Sequence, residues 1–250
     1  TCLRSHGARG LNDREVYTAR RRANSGMTKE IVGILGGTFN PIHAGHLRAA
    51  EETLRHLNLS KILLVPSSVP VLKTKGIGKD FIAPAKDRAH WVELATRNNP
   101  RFQLCRIELQ REGPSYTVDT LRALTLQLKP SKLMFIVGSD AFRNFDSWHQ
   151  PDEILSMADF AVLARPPEIF KSLRHILPPK FHSVCKFSES ESSAQHQSGN
   201  VINLIEISGL EISSTDIRRR LSQGYSVSGL LPDLIREAIE SSGYFSEVAP

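Results

Sequence analysis

Apolar positions fall into two rhythms along the chain. Apolar runs at Glu30–Leu35, Lys61–Pro66, Lys132–Val137, Asp159–Ala164 and Val201–Ile207 predict strands, and Lys61–Pro66 and Lys132–Val137, which do not alternate with polar residues, predict strands buried on both faces. Between them the spacing changes. Leu47, Ala50, Leu54 and Leu57 recur at three- and four-residue steps while Glu51, Glu52, Arg55 and His56 take the other side, so this stretch is an amphipathic helix. Further helices are predicted from Pro84 to about Arg97 with Trp91, Leu94 and Ala95 apolar, from near Ser115, over Ser214–Leu221 and over Pro232–Ser241. Phe102–Leu109 alternates like a half-buried strand. Strands separated by helical patterns predict an α/β fold with a doubly wound, mostly parallel sheet and helices on both faces. Right-handed crossovers then gather the carboxyl ends of the strands on one edge. The polar run "SESESSAQHQSGN", Ser188–Asn200, is expected to be a mobile surface loop within a polar insert from about Glu168.

Composition narrows the function classes. With 250 residues and 40% hydrophobic content the chain can bury one substantial core. No apolar run reaches the roughly 18 residues of a membrane span, and the start lacks the apolar centre of a secretory signal, so a cytoplasmic protein is expected. Cys2, Cys105 and Cys185 have no metal-like spacing and predict free thiols. The formal charge is +6, but residues 1–26 carry six arginines against two acids, leaving the rest nearly balanced. A basic groove for nucleic acid is therefore not expected. Residues 1–26 read as a disordered Arg-rich extension, Met27 as a natural start, and 27–250 as one domain.

The polar residues that follow the strands carry the chemistry. After the first strand come Gly36, Gly37, Thr38, Phe39, Asn40, His43 and His46; after the second, Lys73; after the fourth, Gly138 and Asp140. The last strand leads to Ile212, Ser213, Ser214 and Thr215 before a helix holding Arg218. Taken singly, these are a turn, a capping residue, an N-cap and a solvated basic face. Taken together on one sheet edge, hydroxyls, unpaired helix-start amides, two imidazoles and an arginine form a cradle for polyphosphate. The aspartate after the fourth strand is placed to accept hydrogen bonds from a ribose.

"GGTFNPIHAGHL" with "ISSTDIRRRL" resembles the HxGH nucleotidyltransferase superfamily. "GPSYTVDTL" at Gly113–Leu121, "FIVGSDAFRNFDSWHQPDEIL" at Phe135–Leu155 and "AVLARP" at Ala161–Pro166 are similar to the bacterial-type nicotinate mononucleotide adenylyltransferases, in family order from about Met27 to Leu221. That resemblance implies a Rossmann-like fold and the joining of nicotinate mononucleotide to the AMP of ATP, with pyrophosphate released and Mg²⁺ held mainly through the ATP phosphates. It implies ATP contacts from Gly36, Gly37, Thr38, Phe39, His43, His46, Gly138, Asp140, Ile212, Ser213, Ser214, Thr215 and Arg218. His43, His46 and Arg218 would stabilise the charge that develops in the reaction. Asn40, Lys73, Thr117, Asp140, Trp148 and Arg165 would serve the mononucleotide, with Thr117 bonding the nicotinate end and Trp148 stacking on the pyridine. Two departures stand out: Asn40 occupies a place where many bacterial members have Asp, and Val69-Pro70-Val71-Leu72-Lys73 lacks the His of the usual Pro-Pro-His-Lys loop.

Rival readings stay open at this level. Another nucleotidyltransferase of the superfamily, including one preferring the nicotinamide mononucleotide, shares the HxGH element. A class I aminoacyl-tRNA synthetase would need a KMSKS loop and an RNA-binding extension, neither of which is seen. An ATP-sensing regulator or a nucleic-acid binder acting through the Arg-rich arm are alternatives of another class. A homo-oligomer is compatible with the sequence, and no membrane or nucleic-acid partner is expected.

Overall fold

The computed structural model describes residues 30–70, 81–164, 172–208 and 212–245. The expectations for residues 1–26 and for Met27 lie outside the described residues. The five apolar runs become β1 (Ile31–Gly37), β2 (Lys61–Pro66), β4 (Lys132–Gly138), β5 (Asp159–Ala164) and β8 (Val201–Glu206) of one eight-stranded sheet. The short β3 (Phe102–Leu104) borders β2, while β6 (Cys185–Phe187) and β7 (Ser193–His196) extend the far side. The spatial order is β3-β2-β1-β4-β5-β8-β7-β6, parallel from β3 to β8 and antiparallel across the last two pairings. The chain crosses from β1 to β2 on one side and later to β4 on the other. Their carboxyl ends therefore frame a topological switch point, where open α/β sheets bind ligands.

Alternate residues of each strand feed two cores. Ile31, Leu35, Met134, Ile136, Ala161 and Leu163 meet α1 (Ala44–His56), α2 (Ala85–Thr96), α6 (Ser214–Ser222) and α7 (Asp233–Ser242) through residues such as Leu54, Trp91, Ile217 and Ile235. Val32, Ile34, Leu133, Phe135, Val137 and Phe160 face the other way, onto α3 (Thr117–Gln127) and α5 (Pro151–Met157), with the short α4 (Ser139–Phe142) between β4 and α5. Gly33 has no side chain because a Cβ there would lie 2.9 Å from both Ile62 and Leu59 side-chain atoms. No helix among the described residues is long and apolar enough to cross a membrane.

Three expectations change. The run Ser188–Asn200 is not a mobile loop: β6 and β7 form a hairpin on β8, with Cys185 opposite His196 and Ala194 opposite Ile202. Inward Ala194 and His196 alternate with outward Ser193 and Gln195, a period-two pattern too polar to read as a strand. The preceding insert is not simply polar, because Leu173, Ile176, Leu177 and Phe181 are buried in the second core. Finally, the expected strand over Phe102–Leu109 pairs only through Leu104, after which the chain turns.

Candidate active site

β1 delivers two glycines to the edge and then stops. Gly36 is exposed, with open space where a Cβ would stand, so a ligand can approach its backbone. A Cβ on Gly37 would be 3.0 Å from the Phe39 ring. Phe39 is buried at φ +48, a left-handed backbone that an aromatic residue adopts only when its surroundings hold it there. Its ring meets the His46 ring edge-on, centroids 5.2 Å apart.

His43 caps α1 and His46 sits three residues on, so both rings project over the first helical turn. Their centroids are 3.8 Å apart at 32°. Gly45 makes this possible, since a Cβ there would come within 3.0 Å of His43 Nδ1. The His43 backbone N–H donates to His46 Nδ1 at 3.3 Å. With Nδ1 accepting, the neutral ring carries its proton on Nε2, the tautomer that offers an N–H donor. A pair of imidazoles at a helix start is suited to anions by position and by donor chemistry.

The backbone from Thr38 to Pro41 is irregular, and buried side chains bond it. Asn40, 1% exposed, donates from Nδ2 to the Phe81 carbonyl at 2.9 Å and accepts the Ala83 N–H on Oδ1 at 3.1 Å. Both ends of its amide thus shape the loop, and a carboxylate could not donate to Phe81. Arg218, 7% exposed, donates to the Asn40 carbonyl at 2.9 Å and to Thr215 Oγ1 at 3.3 Å, so its charge lies beneath the loop rather than on a solvated face. Ser214 Oγ donates to the Pro41 carbonyl at 3.0 Å, and Ser213 caps α6 by accepting the Asp216 N–H. Ser213 and Thr215 are exposed and Ile212 is half-buried at the same helix start.

After β4, a Cβ on Gly138 would be 2.5 Å from Asp140 Oδ1, so the exposed Asp140 carboxylate folds back over the glycine. Thr117 opens α3, and the ring of the preceding Tyr116 stacks on His149 at 4.3 Å. That stack joins the start of α3 to the segment of Trp148, which is half-buried and packs on Phe135 and Phe145 at centroid distances of 6.0 and 5.2 Å. Trp148 thus has apolar neighbours that the sequence pattern does not reveal. Lys73 and Arg165 lie outside the described residues.

Two buried charges were missed by the sequence reading. Arg88 on α2 is 1% exposed and donates to four carbonyls, those of Thr38, Ser67, Ser68 and Ala83. Burial pulls its pKa down, opposed by the charge of Glu108, and it remains a cation. Glu108 accepts the Thr120 hydroxyl at 2.7 Å, and burial pushes its pKa up despite that bond. A lone arginine in a helical pattern carries no sequence signal of such a role. Among the described residues no three His, Cys, Asp or Glu side chains converge on a metal position. The donors at this edge are imidazoles and hydroxyls together with the exposed Asp140 carboxylate, too few oxygens to cage a hard cation by themselves.

A doubly wound sheet whose switch point holds paired imidazoles at a helix start defines an α/β protein built to bind an anionic ligand at that edge. The cytidylyltransferase-like family model matches residues 34–220. Relatives include a probable nicotinate-nucleotide adenylyltransferase of Saccharopolyspora erythraea, 35% identical over 86% of this chain and 89% of that protein, and another of Geobacter metallireducens, 35% identical over 83% and 94%. The chain belongs to the cytidylyltransferase-like family and, within it, to the nicotinate-nucleotide adenylyltransferases. The fold is shared with Plasmodium falciparum nicotinic acid mononucleotide adenylyltransferase complexed with NaAD (TM-score 0.62, 18% identity, 86% of this chain and 97% of that one).

Proposed function

We propose that this chain transfers AMP from ATP to nicotinate mononucleotide, giving nicotinic acid adenine dinucleotide and pyrophosphate. The stacked His43 and His46 at the start of α1 carry this reading, together with membership of a family whose relatives bear that name. A phosphate oxygen of the mononucleotide forms the new bond to the α-phosphorus, and the bond from that phosphorus to the bridging oxygen of pyrophosphate breaks with its electron pair leaving on pyrophosphate. The nucleophile is ionised at neutral pH, so no general base is needed. The burden is alignment and charge stabilisation. His46 donates from Nε2 to phosphate oxygens, His43 supports it from the stacked ring, and the α6 start with Ser213 and Thr215 receives the outer phosphates. Arg218 acts through the Asn40 carbonyl by holding the loop under them. Mg²⁺ would supply neutralisation of phosphate charge, and the exposed Asp140 carboxylate is the protein group that could help hold it. Thr117 and Trp148 receive the nicotinate end.

We place the enzyme in the cytoplasm. Cys105 and Cys185 are free thiols, whose pKa values burial raises, as suits inert cysteines in a reducing compartment. The deciding experiment is pyrophosphate release from ATP and Mg²⁺ with nicotinate mononucleotide and nicotinamide mononucleotide in parallel. The expected result is turnover that favours the acid. Activity with neither would move the substrate to another member of the superfamily.

A further inference from the structure

Beyond the last ladder positions of β1 and β2, the backbone reaches a place where carbonyls converge. Ser67 N–H still donates to the Gly37 carbonyl at 2.9 Å. One residue further, the carbonyls of Thr38, Ser67 and Ser68 face a common donor while the Ser67 and Ser68 N–H groups are engaged elsewhere, by the Gly37 carbonyl and Ser115 Oγ. Arg88 is that donor: Nη1 donates to Thr38 at 2.6 Å, Nη2 to Ser67 at 2.7 Å and to Ser68 at 3.3 Å, and Nε to Ala83 at 2.9 Å. Ala83 is itself tied to the loop by the Asn40 side chain. On the other side, Ser68 N–H donates to Ser115 Oγ at 2.9 Å and Ser115 N–H to the Val69 carbonyl at 3.1 Å. A continuous set of bonds thus runs from the loop before His43 and His46, through one guanidinium, to the segment that opens α3 at Thr117.

We infer that Arg88 is a positioning residue that fixes the ATP loop after β1 relative to the segment carrying the nicotinate mononucleotide, and so sets the in-line alignment of the two substrates. The inference rests on the function proposed above. A guanidinium suits the task because its planar fork offers five donors in fixed directions, whereas an ammonium on the same stem cannot span three segments. Arg88 touches neither substrate in this scheme. Its loss therefore acts on kcat, which depends on the separation of the two sites, more than on the binding of either substrate alone, which each loop supports by itself.

The test compares wild type, Arg88→Lys and Ser115→Ala as full-length chains. Turnover per folded molecule is measured with both substrates saturating, alongside calorimetric dissociation constants for a non-hydrolysable ATP analogue alone and for nicotinate mononucleotide alone. The expected result for Arg88→Lys is a kcat lower by about 10- to 100-fold, with each single-ligand constant within about threefold of wild type. Ser115→Ala should show the same signature, smaller. Unchanged kcat per folded molecule, or single-ligand affinities that fall as far as kcat, would overturn the inference. If Arg88→Lys does not fold, Ser115→Ala decides: a folded variant with wild-type kcat rejects the coupling. Wild type that turns over neither mononucleotide would instead remove the proposed function, a result distinct from wild type that is active and an Arg88→Lys variant that is equally so.

Discussion

The loop from Thr38 to His43 and the hairpin from Cys185 to His196 lie at two boundaries of the same sheet, and they are held in opposite ways. The hairpin satisfies its backbone through ladder bonds to β8, and its surface side chains bond to one another, Ser188 with Ser190 and Ser190 with Ser192, or to the preceding segment, Glu191 with Ser172 and Arg174. The loop has left the ladder, and its Thr38, Asn40 and Pro41 carbonyls are taken by buried Arg88, buried Arg218 and the Ser214 hydroxyl. Irregular backbone that is buried must find side-chain partners. Those partners become costly to change, whereas a ladder tolerates side-chain substitution.

The sharpest contrast should come from the imidazoles. His46→Ala removes a donor aimed at developing charge and is expected to lower kcat by about 10²–10³ while the melting temperature stays near wild type; a folded variant with near-normal turnover would take His46 out of the mechanism. Arg218→Met leaves the Asn40 carbonyl buried without its charged donor, and chemical denaturation should show a loss of about 3 kcal/mol. Stability equal to wild type would mean that the loop does not depend on this bond. Gly45→Ala forces the His43 ring to give way by a few tenths of an ångström, with kcat expected to fall about tenfold at little cost in stability. Steady-state rates together with a melt would separate these two effects.

A smaller effect is expected at Glu108, where the sign is set by burial. Its folded-state pKa lies above the unfolded value, so its contribution favours folding when protonated, below about pH 4.3, and is lost as pH rises through the folded value. Glu108→Gln keeps an acceptor for Thr120 without the charge. Its melting temperature should exceed that of wild type at neutral pH, with the difference shrinking towards zero as the pH falls to about 4. A difference that grows on acidification would mean that the ionised carboxylate stabilises the fold. The least effect belongs to the hairpin. Gln195→Thr, on its outward face, should leave both turnover and melting unchanged, and a measurable fall in kcat would show that the hairpin communicates with the site.

Much of the fold was legible because its signals are local. A run such as Ile62–Val65 declares a doubly buried strand within a few residues, and the helix of Leu47, Ala50 and Leu54 declares its buried face within two turns. The spacing of His43 and His46, with Gly45 between them, likewise placed two imidazoles over one helix start without reference to anything distant. The hairpin escaped because Ala194 is its sole aliphatic inward residue between Ser188 and Asn200, so alternation had no contrast to reveal it.

What the sequence by itself determined is therefore the chain order of the five apolar strands and of the helices predicted between them, the sheet edge on which polar residues gather, and the histidine pair. What the tertiary structure decided is how the edge is held. Arg88 finds Thr38 fifty positions away, and Arg218 finds Asn40 across 178. The carbonyl that each arginine bonds becomes its neighbour only after the sheet has assembled. Periodicity belongs to a short stretch of chain, but a buried hydrogen bond belongs to whatever two groups the packed fold leaves facing each other.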